Sequence, residues 1–173
     1  SLVGADNLSL RTIAKNLGVV SSAPYNHFTS KNQLFSELIK IGTNILLKKM
    51  NEEKFKKKLP SEQLSYSAKA YLKFSLEEKE LFLLMFSKHN LEIKKLIDAI
   101  SSQFLDIVKE KFKDGSRRRV SEKGASITAW AMVHGLAKLV SNNNLELIEE
   151  NAELQFEEIF NQMSAIWGKG VAN

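Results

Sequence analysis

The sequence predicts an all-α fold, with a helix-turn-helix unit at its N-terminal end and an orthogonal helical bundle after it. Apolar residues recur at intervals of three and four along most of the chain, which is typical of amphipathic helices, whereas the alternation typical of strands is almost absent. Prolines number only two and glycines eight, so long helices are permitted. We place the helix-turn-helix domain at residues 1–45 and the bundle at residues 46–173.

Apolar spacing and capping residues together predict eight helices. Their expected ranges, in chain order, are 9–17, 21–27, 31–54, 61–78, 80–87, 92–113, 121–140 and 150–167. Ser9 is a good N-cap for the first helix, which we expect to carry Ile13, Ala14 and Leu17 inward. Gly18 suits the left-handed position that ends a helix.

The later helices have their own signals. Ser30 and Gln33 form a capping-box pair before the third helix, whose predicted inner stripe is Leu34, Leu38, Ile41 and Ile45. The sixth helix has a longer apolar stripe, from Ile93 to Val108. The seventh is apolar on nearly every side between residues 127 and 140, which indicates burial because the run is too short to span a bilayer.

Charge is distributed unevenly along the chain. Residues 1–60 contain ten Lys or Arg and four Asp or Glu, whereas residues 120–173 contain three and seven. The basic N-terminal part therefore suits a polyanionic partner, although a lysine-rich surface that is merely solvated would have the same composition.

Several classes of function are disfavoured by what the sequence lacks. The absence of cysteine excludes disulfides and thiolate metal sites. We find no phosphate-binding glycine loop, no catalytic serine signature and no metal-ligand spacing, so we expect no catalytic residue, no cofactor and no metal. With no signal peptide and no long apolar run, we also expect a cytoplasmic protein without a membrane partner.

The segment from Ser21 to Lys31, SSAPYNHFTSK, predicts a nucleic-acid contact. Two short helices around a glycine-containing turn form a helix-turn-helix, whose second helix enters the major groove of DNA by its N-terminal end. If Ser21 is the N-cap, Pro24 is the third helical residue and sacrifices no hydrogen bond. Small residues before it would let the backbone approach DNA closely.

Each residue type in this segment has a suitable partner on DNA. Asn26 can read adenine by two hydrogen bonds, while serine hydroxyls and an alanine methyl suit phosphate or base edges. Tyr25 and His27 suit phosphate, although both could instead fill the core or the surface. The candidate DNA-binding residues are Ser9, Arg11, Ser21, Ser22, Ala23, Tyr25, Asn26, His27 and Lys31.

Two stretches carry a family resemblance. The strings IAKNLGV, from Ile13, and YNHFTSKNQLF, from Tyr25, closely resemble the DNA-binding domain of the TetR/AcrR family of transcriptional regulators. AWAMVHGLAKL, from Ala129, resembles the Trp…His-Gly segment of the WHG-type C-terminal domain in that family, and YLKFSLEEKELFLLMF, from Tyr71, resembles the segment before it. The resemblance implies a ligand-responsive repressor, a homodimer that binds a palindromic double-stranded DNA operator and is released by a small hydrophobic effector of unknown identity.

The chain departs from the family pattern in two places. The family begins with a helix before the position of Ser9, where this chain has only SLVGADNL, so we expect that first helix to be missing. Val20 stands where the family usually has a capping serine or threonine. Both departures leave open the alternative of a helical dimer that binds a ligand or partner without binding DNA.

The resemblance also implies an effector pocket and a dimer interface after residue 50. Each candidate pocket residue can equally be ordinary core. The candidates are Tyr71, Phe74, Phe82, Met85, Phe86, His89, Phe104, Trp130 and His134. The last two helices would pair across a two-fold axis, with Gly135 permitting a close crossing. The candidate interface residues are Ile127, Met132, Gly135, Leu136, Leu139, Phe160, Met163 and Trp167.

Overall fold

The computed structural model describes residues 9–52, 58–113, 119–142 and 152–172, and all regular elements in these ranges are helical. The prediction of an all-α fold is thereby confirmed. The expectation of a missing first helix concerns residues 1–8, which lie outside the described residues. The elements are α1 (Leu10–Asn16), a 3-10 turn (Ala23–Asn26), α2 (Lys31–Met50), α3 (Pro60–Glu77), α4 (Lys79–Met85), α5 (Ile93–Phe112), α6 (Glu122–Ser141) and α7 (Ala152–Ala172).

Helix α1 is closed at both ends by the residues predicted to do so. The Ser9 hydroxyl accepts a hydrogen bond from the Thr12 amide at 3.0 Å. Gly18 has a φ of 68°, and the Val19 amide donates to the Ala14 carbonyl at 3.0 Å, as in a Schellman motif. Leu17, which we expected to point inward, is 71% exposed.

The predicted second helix is shorter and tighter than expected. It is a 3-10 turn of four residues preceded by Ser22, so the prediction of a helix over 21–27 capped by Ser21 was wrong. The His27 amide donates to the Pro24 carbonyl, three residues back, at 3.1 Å. Such i to i−3 bonds keep a short segment in the tighter helix.

Helix α2 joins this N-terminal part to the rest of the protein. The Ser30 hydroxyl accepts from the Gln33 amide at 3.2 Å, while the Gln33 side-chain oxygen accepts from the Thr29 amide at 2.6 Å. The predicted cap therefore forms, with the glutamine reaching one residue further back than in a capping box. From there α2 runs for 20 residues.

The buried stripe of α2 differs from the predicted one. It consists of Phe35, Ile39, Gly42, Leu46 and Met50. Ile41, from the predicted stripe, is 52% exposed. Two adjacent rows of α2 are apolar, so spacing alone did not identify which row faces the core.

Gly42 lies in this buried row, where α2 contacts α4. A Cβ built on Gly42 would lie 2.6 Å from Met85 Sδ and 3.0 Å from Leu81 Cγ. Any larger residue here would force these two side chains to move, so glycine permits the close contact between α2 and α4.

The core lies among α3, α5 and α6. Tyr71, Leu72 and Phe74 of α3 are fully buried. Helix α5 contributes residues at every fourth position, namely Leu96, Ile100, Phe104 and Val108. None of the described helices combines the length and the apolar character needed to cross a membrane.

Helix α7 is fixed to this core by side chains. The indole N–H of Trp167 donates to the Ala125 carbonyl at 3.0 Å, and Phe160 is 1% exposed. Outside, Lys69 of α3 forms an ion pair with Glu157 at 2.7 Å.

Candidate DNA-binding face and effector site

The 3-10 turn presents most of the predicted DNA-binding residues to solvent. Ser21, Ser22, Tyr25, Asn26 and His27 are exposed, while Ala23 and Lys31 are half-buried. The turn packs against α1, whose N-terminal residues Ser9 and Arg11 are also exposed.

The sequence left open whether Tyr25 and His27 contact phosphate or instead fill the core or the surface. Tyr25 is 50% exposed, so it does not fill the core. The His27 ring is also exposed, with its centroid 6.4 Å from that of Phe28. Ser9 has a structural task of its own, because its hydroxyl caps α1 and lies 2.7 Å from the Thr12 hydroxyl.

The electrostatics of this end suit a polyanion. Residues 9–36 contain Arg11, Lys15 and Lys31 and no Asp or Glu, and Glu37 is the first acid after them. A surface with one sign of charge attracts DNA phosphates over several ångströms. Lys15, which sequence reasoning did not select, is exposed on the last turn of α1, and its charge within this acid-free segment was the available signal.

Five of the nine predicted pocket residues form a cluster between α3, α4 and α6. We call Tyr71, Phe82, Phe86, Trp130 and His134 the aromatic cluster. The centroid of the His134 ring lies 4.6 Å from that of Phe86 and 5.7 Å from that of Trp130. The Tyr71 and Phe82 rings meet edge to face at 5.7 Å.

A buried hydrogen bond lies at the centre of the aromatic cluster. Tyr71 Oη is 2.7 Å from His134 Nδ1. Burial, helped by the charge of Lys138, lowers the pKa of His134 to about 4, so its imidazole is neutral at pH 7. Burial raises the pKa of Tyr71 above its usual value. Both groups are therefore neutral, and we assign the phenol O–H as the donor and Nδ1 as the acceptor of this hydrogen bond.

The other four predicted pocket residues lie elsewhere. Phe74 and Met85 are fully buried in the core. The His89 ring packs against Phe35 of α2, at a centroid distance of 5.3 Å. Phe104 lines a separate cavity, so the predicted pocket is divided between the two sides of α6.

That cavity has a volume of about 210 Å³ and lies among α3, α5, α6 and α7. Its lining is mostly apolar, with Phe104, Ala129, Val133 and Phe160 among the contributors. Ligand pockets commonly have volumes of roughly 300 to 1,000 Å³. The cavity is therefore small for an effector, although a cavity of about 150 Å³ admits benzene in another protein.

The predicted interface residues are likewise divided. Ile127, Gly135 and Leu139 are exposed on one face of α6. Phe160, Trp167 and Leu136 are buried within the protomer and are corrected to core residues. Met132 and Met163 are half-buried and line the cavity. Ile166, not among the predicted residues, is 66% exposed on α7.

Among the described residues, no three His, Asp or Glu side chains come together in a way that could hold a metal ion.

Comparison with known proteins places these features in a family. A model described as bacterial regulatory proteins of the tetR family matches residues 1–38. A model described as a tetracyclin repressor-like C-terminal domain matches residues 64–163, which is more than half of the chain.

Individual proteins are also similar to this chain. The nucleoid occlusion factor SlmA of Vibrio atlanticus (strain LGP32) is 28% identical over 144 residues, which are 78% of this chain and 74% of SlmA. PfmR, a TetR family transcriptional regulator from Thermus thermophilus, has the same fold, with a TM-score of 0.76, 19% identity and coverage of 98% of this chain and 92% of PfmR.

A third similar protein was solved with its ligands. AibR, in complex with isovaleryl coenzyme A and operator DNA, has a TM-score of 0.72 and 16% identity, over 94% of this chain and 88% of AibR. At this identity the likeness shows the fold alone. Since one family model matches more than half of the chain and a second matches residues 1–38, the protein belongs to the TetR family of DNA-binding transcriptional regulators.

Proposed function

We propose that the protein is a ligand-responsive repressor that binds a palindromic operator as a homodimer and leaves it when a small effector binds. The observation that carries this proposal is the exposed turn around Asn26, within a segment of 28 residues (9–36) that contains three cations and no acid. Tyr25 and His27 would contact phosphates, while Asn26 would read a base.

Dimerisation would use the exposed apolar face of the last two helices. Ile127 and Leu139 of α6 and Ile166 of α7 are all exposed large apolar side chains. Gly135 lies between the first two, and a Cβ built there meets nothing within 4 Å, so a partner helix could approach closely. Two paired protomers would place their turns in successive major grooves, one or more helical turns apart.

The effector would bind at the aromatic cluster rather than in the cavity behind α6, because the aromatic cluster includes part of α4. Phe82 lies on α4 and Phe86 directly follows it. Met85 and Leu81 pack against Gly42 of α2. A movement of α4 would thus shift α2, which begins four residues after His27, and the effects of effector and operator on each other's binding must be equal.

Fluorescence anisotropy with DNA from upstream of the protein's own gene tests the proposal, using the full-length gene product at several salt concentrations. We expect a tight site whose affinity falls steeply as salt rises and exceeds that for random DNA of the same length by at least about 1,000-fold. Affinity equal to that for random DNA would favour the alternative of a helical dimer that binds only a ligand or partner.

A further inference from the structure

Three side chains with polar groups lie on one face of α6 at the aromatic cluster. Trp130, His134 and Lys138 follow one another at intervals of four, so they share a face of the helix. All three are half-buried. Lys138 Nζ lies 5.7 Å from the centroid of Phe82 and 5.8 Å from that of Phe86.

We assign the position of the His134 proton from the polar contacts of the aromatic cluster. Since Tyr71 donates to Nδ1 of a neutral ring, the ring proton is on Nε2. The Trp130 indole N–H lies close enough to Tyr71 to lower the pKa of the phenol. It forms no hydrogen bond of good geometry with any described residue. His134 Nε2–H is therefore the imidazole donor that faces away from Tyr71.

Lys138 adds a charge that the described residues do not balance. Burial is what lowers the pKa of Lys138, and no described carboxylate opposes that shift. No ion pair joins Lys138 to a described acid, whereas Lys69 and Lys49 are each paired. The rings of Phe82 and Phe86 give this ammonium group cation–π contacts, which stabilise it but leave its charge without a counter-ion among the described residues.

We propose that His134 Nε2 and Lys138 Nζ form a site for the carboxylate of the effector, whose apolar body lies against Phe86. Two donors, one of them cationic, suit a carboxylate better than a neutral acceptor, because charge-assisted hydrogen bonds are roughly twice as strong. The effector is therefore an organic acid rather than a neutral apolar molecule. The effect of this acid on DNA rests on the proposed function, whereas its binding does not.

Titration calorimetry with matched probes tests the site, using the full chain. Benzoate and octanoate are compared with benzamide and octanamide, which keep the shape and lose the charge. We expect at least one acid to bind ten-fold or more tightly than its amide. Lys138→Met should remove that preference, whereas Lys123→Met, which changes an exposed lysine of the same helix, should leave it unchanged.

Four results would overturn the site. The first three are that no acid binds at millimolar concentration, that acid and amide bind equally, and that Lys138→Met leaves the preference intact. If Lys138→Met instead separates the dimer in light scattering while acid binding persists, Lys138 contacts a partner subunit and the proposal is wrong. Fluorescence anisotropy of operator DNA, with and without the acid, tests separately whether the acid releases DNA. An acid that binds but does not release DNA would contradict the proposed release and leave the site standing.

Discussion

The segment around the 3-10 turn and the core around α3 and α6 are built in opposite ways. The turn is held by backbone hydrogen bonds and by the capped helices on either side of it, so Tyr25 and Asn26 are exposed. The core holds its side chains by burial, and Tyr71 and Phe104 have no exposed surface. Changes in the turn should therefore alter DNA affinity and leave the free energy of unfolding unchanged. Changes in the core should lower the free energy of unfolding and leave the DNA-binding side chains in place.

The largest effect is expected in the core, from Phe160→Ala. Phe160 joins α7 to the core and is 1% exposed, so its truncation should reduce the free energy of unfolding by about 3 to 5 kcal/mol. Urea denaturation at fixed protein concentration measures this loss. Asn161→Ala, an exposed change next to it, should stay within about 0.5 kcal/mol of the parent. Equal losses in the two variants would mean that α7 is not anchored by Phe160.

The second prediction, Asn26→Ala, tests the exposed turn rather than the core. Loss of a base contact should weaken operator binding by about 1 to 3 kcal/mol, or roughly 5- to 150-fold, with an unchanged melting temperature. Asn44→Ala, an exposed change further along α2, is the control in the same anisotropy assay. A drop in melting temperature without a change in DNA affinity would mean that Asn26 contributes to stability rather than to DNA binding.

A smaller gain is expected when the cavity is filled. Ala129→Leu points into the space of about 210 Å³ and should raise the free energy of unfolding by about 0.5 to 2 kcal/mol. Thermal melting measures the gain, and titration of the same variant with benzoate and octanoate shows whether acid binding survives. Loss of acid binding would indicate that the effector occupies the cavity rather than the aromatic cluster.

The last effect is confined to acidic pH. The pKa of His134 is about 4 in the folded protein and near 6.5 when unfolded, so between these values only the unfolded chain takes up the proton. Stability should therefore fall as pH drops from about 6.5 to 4, with no further loss from this group below that. His134→Asn should flatten this part of the profile in urea melts. Parallel profiles for parent and variant would show that His134 is not held neutral.

The helices and their caps were predictable because their signals are local. Ser9, Gly18 and Ser30 act within a turn of their own position, so the sequence alone indicated where α1 ends and where α2 begins. The short segment at Pro24 was less predictable, because a few hydrogen bonds decide between a 3-10 turn and an α-helix.

The candidate site was predicted only in part because spacing shows that a side chain is inward-facing but not what it contacts. Phe104 and Tyr71 are equally buried, yet α6 separates the cavity of one from the aromatic cluster of the other. Phe160 was assigned to a partner interface because an apolar stripe looks the same whether it faces the protein's own core or a second copy. The Tyr71–His134 bond joins residues 63 positions apart and had no local signal.

Because α4 contacts α2 at Gly42, a movement of α4 would tilt α2 and displace its N-terminal end. This helix of 20 residues is about 30 Å long. It contacts α4 near its middle, and the 3-10 turn with the proposed DNA-binding residues lies just before its N-terminal end. A tilt of about 5° around its C-terminal end displaces the other end by about 3 Å, which is comparable to the rise of one base pair. Under the proposed function, a shift of about 1 Å where α4 contacts Gly42 would thus alter the spacing between the two turns of a dimer.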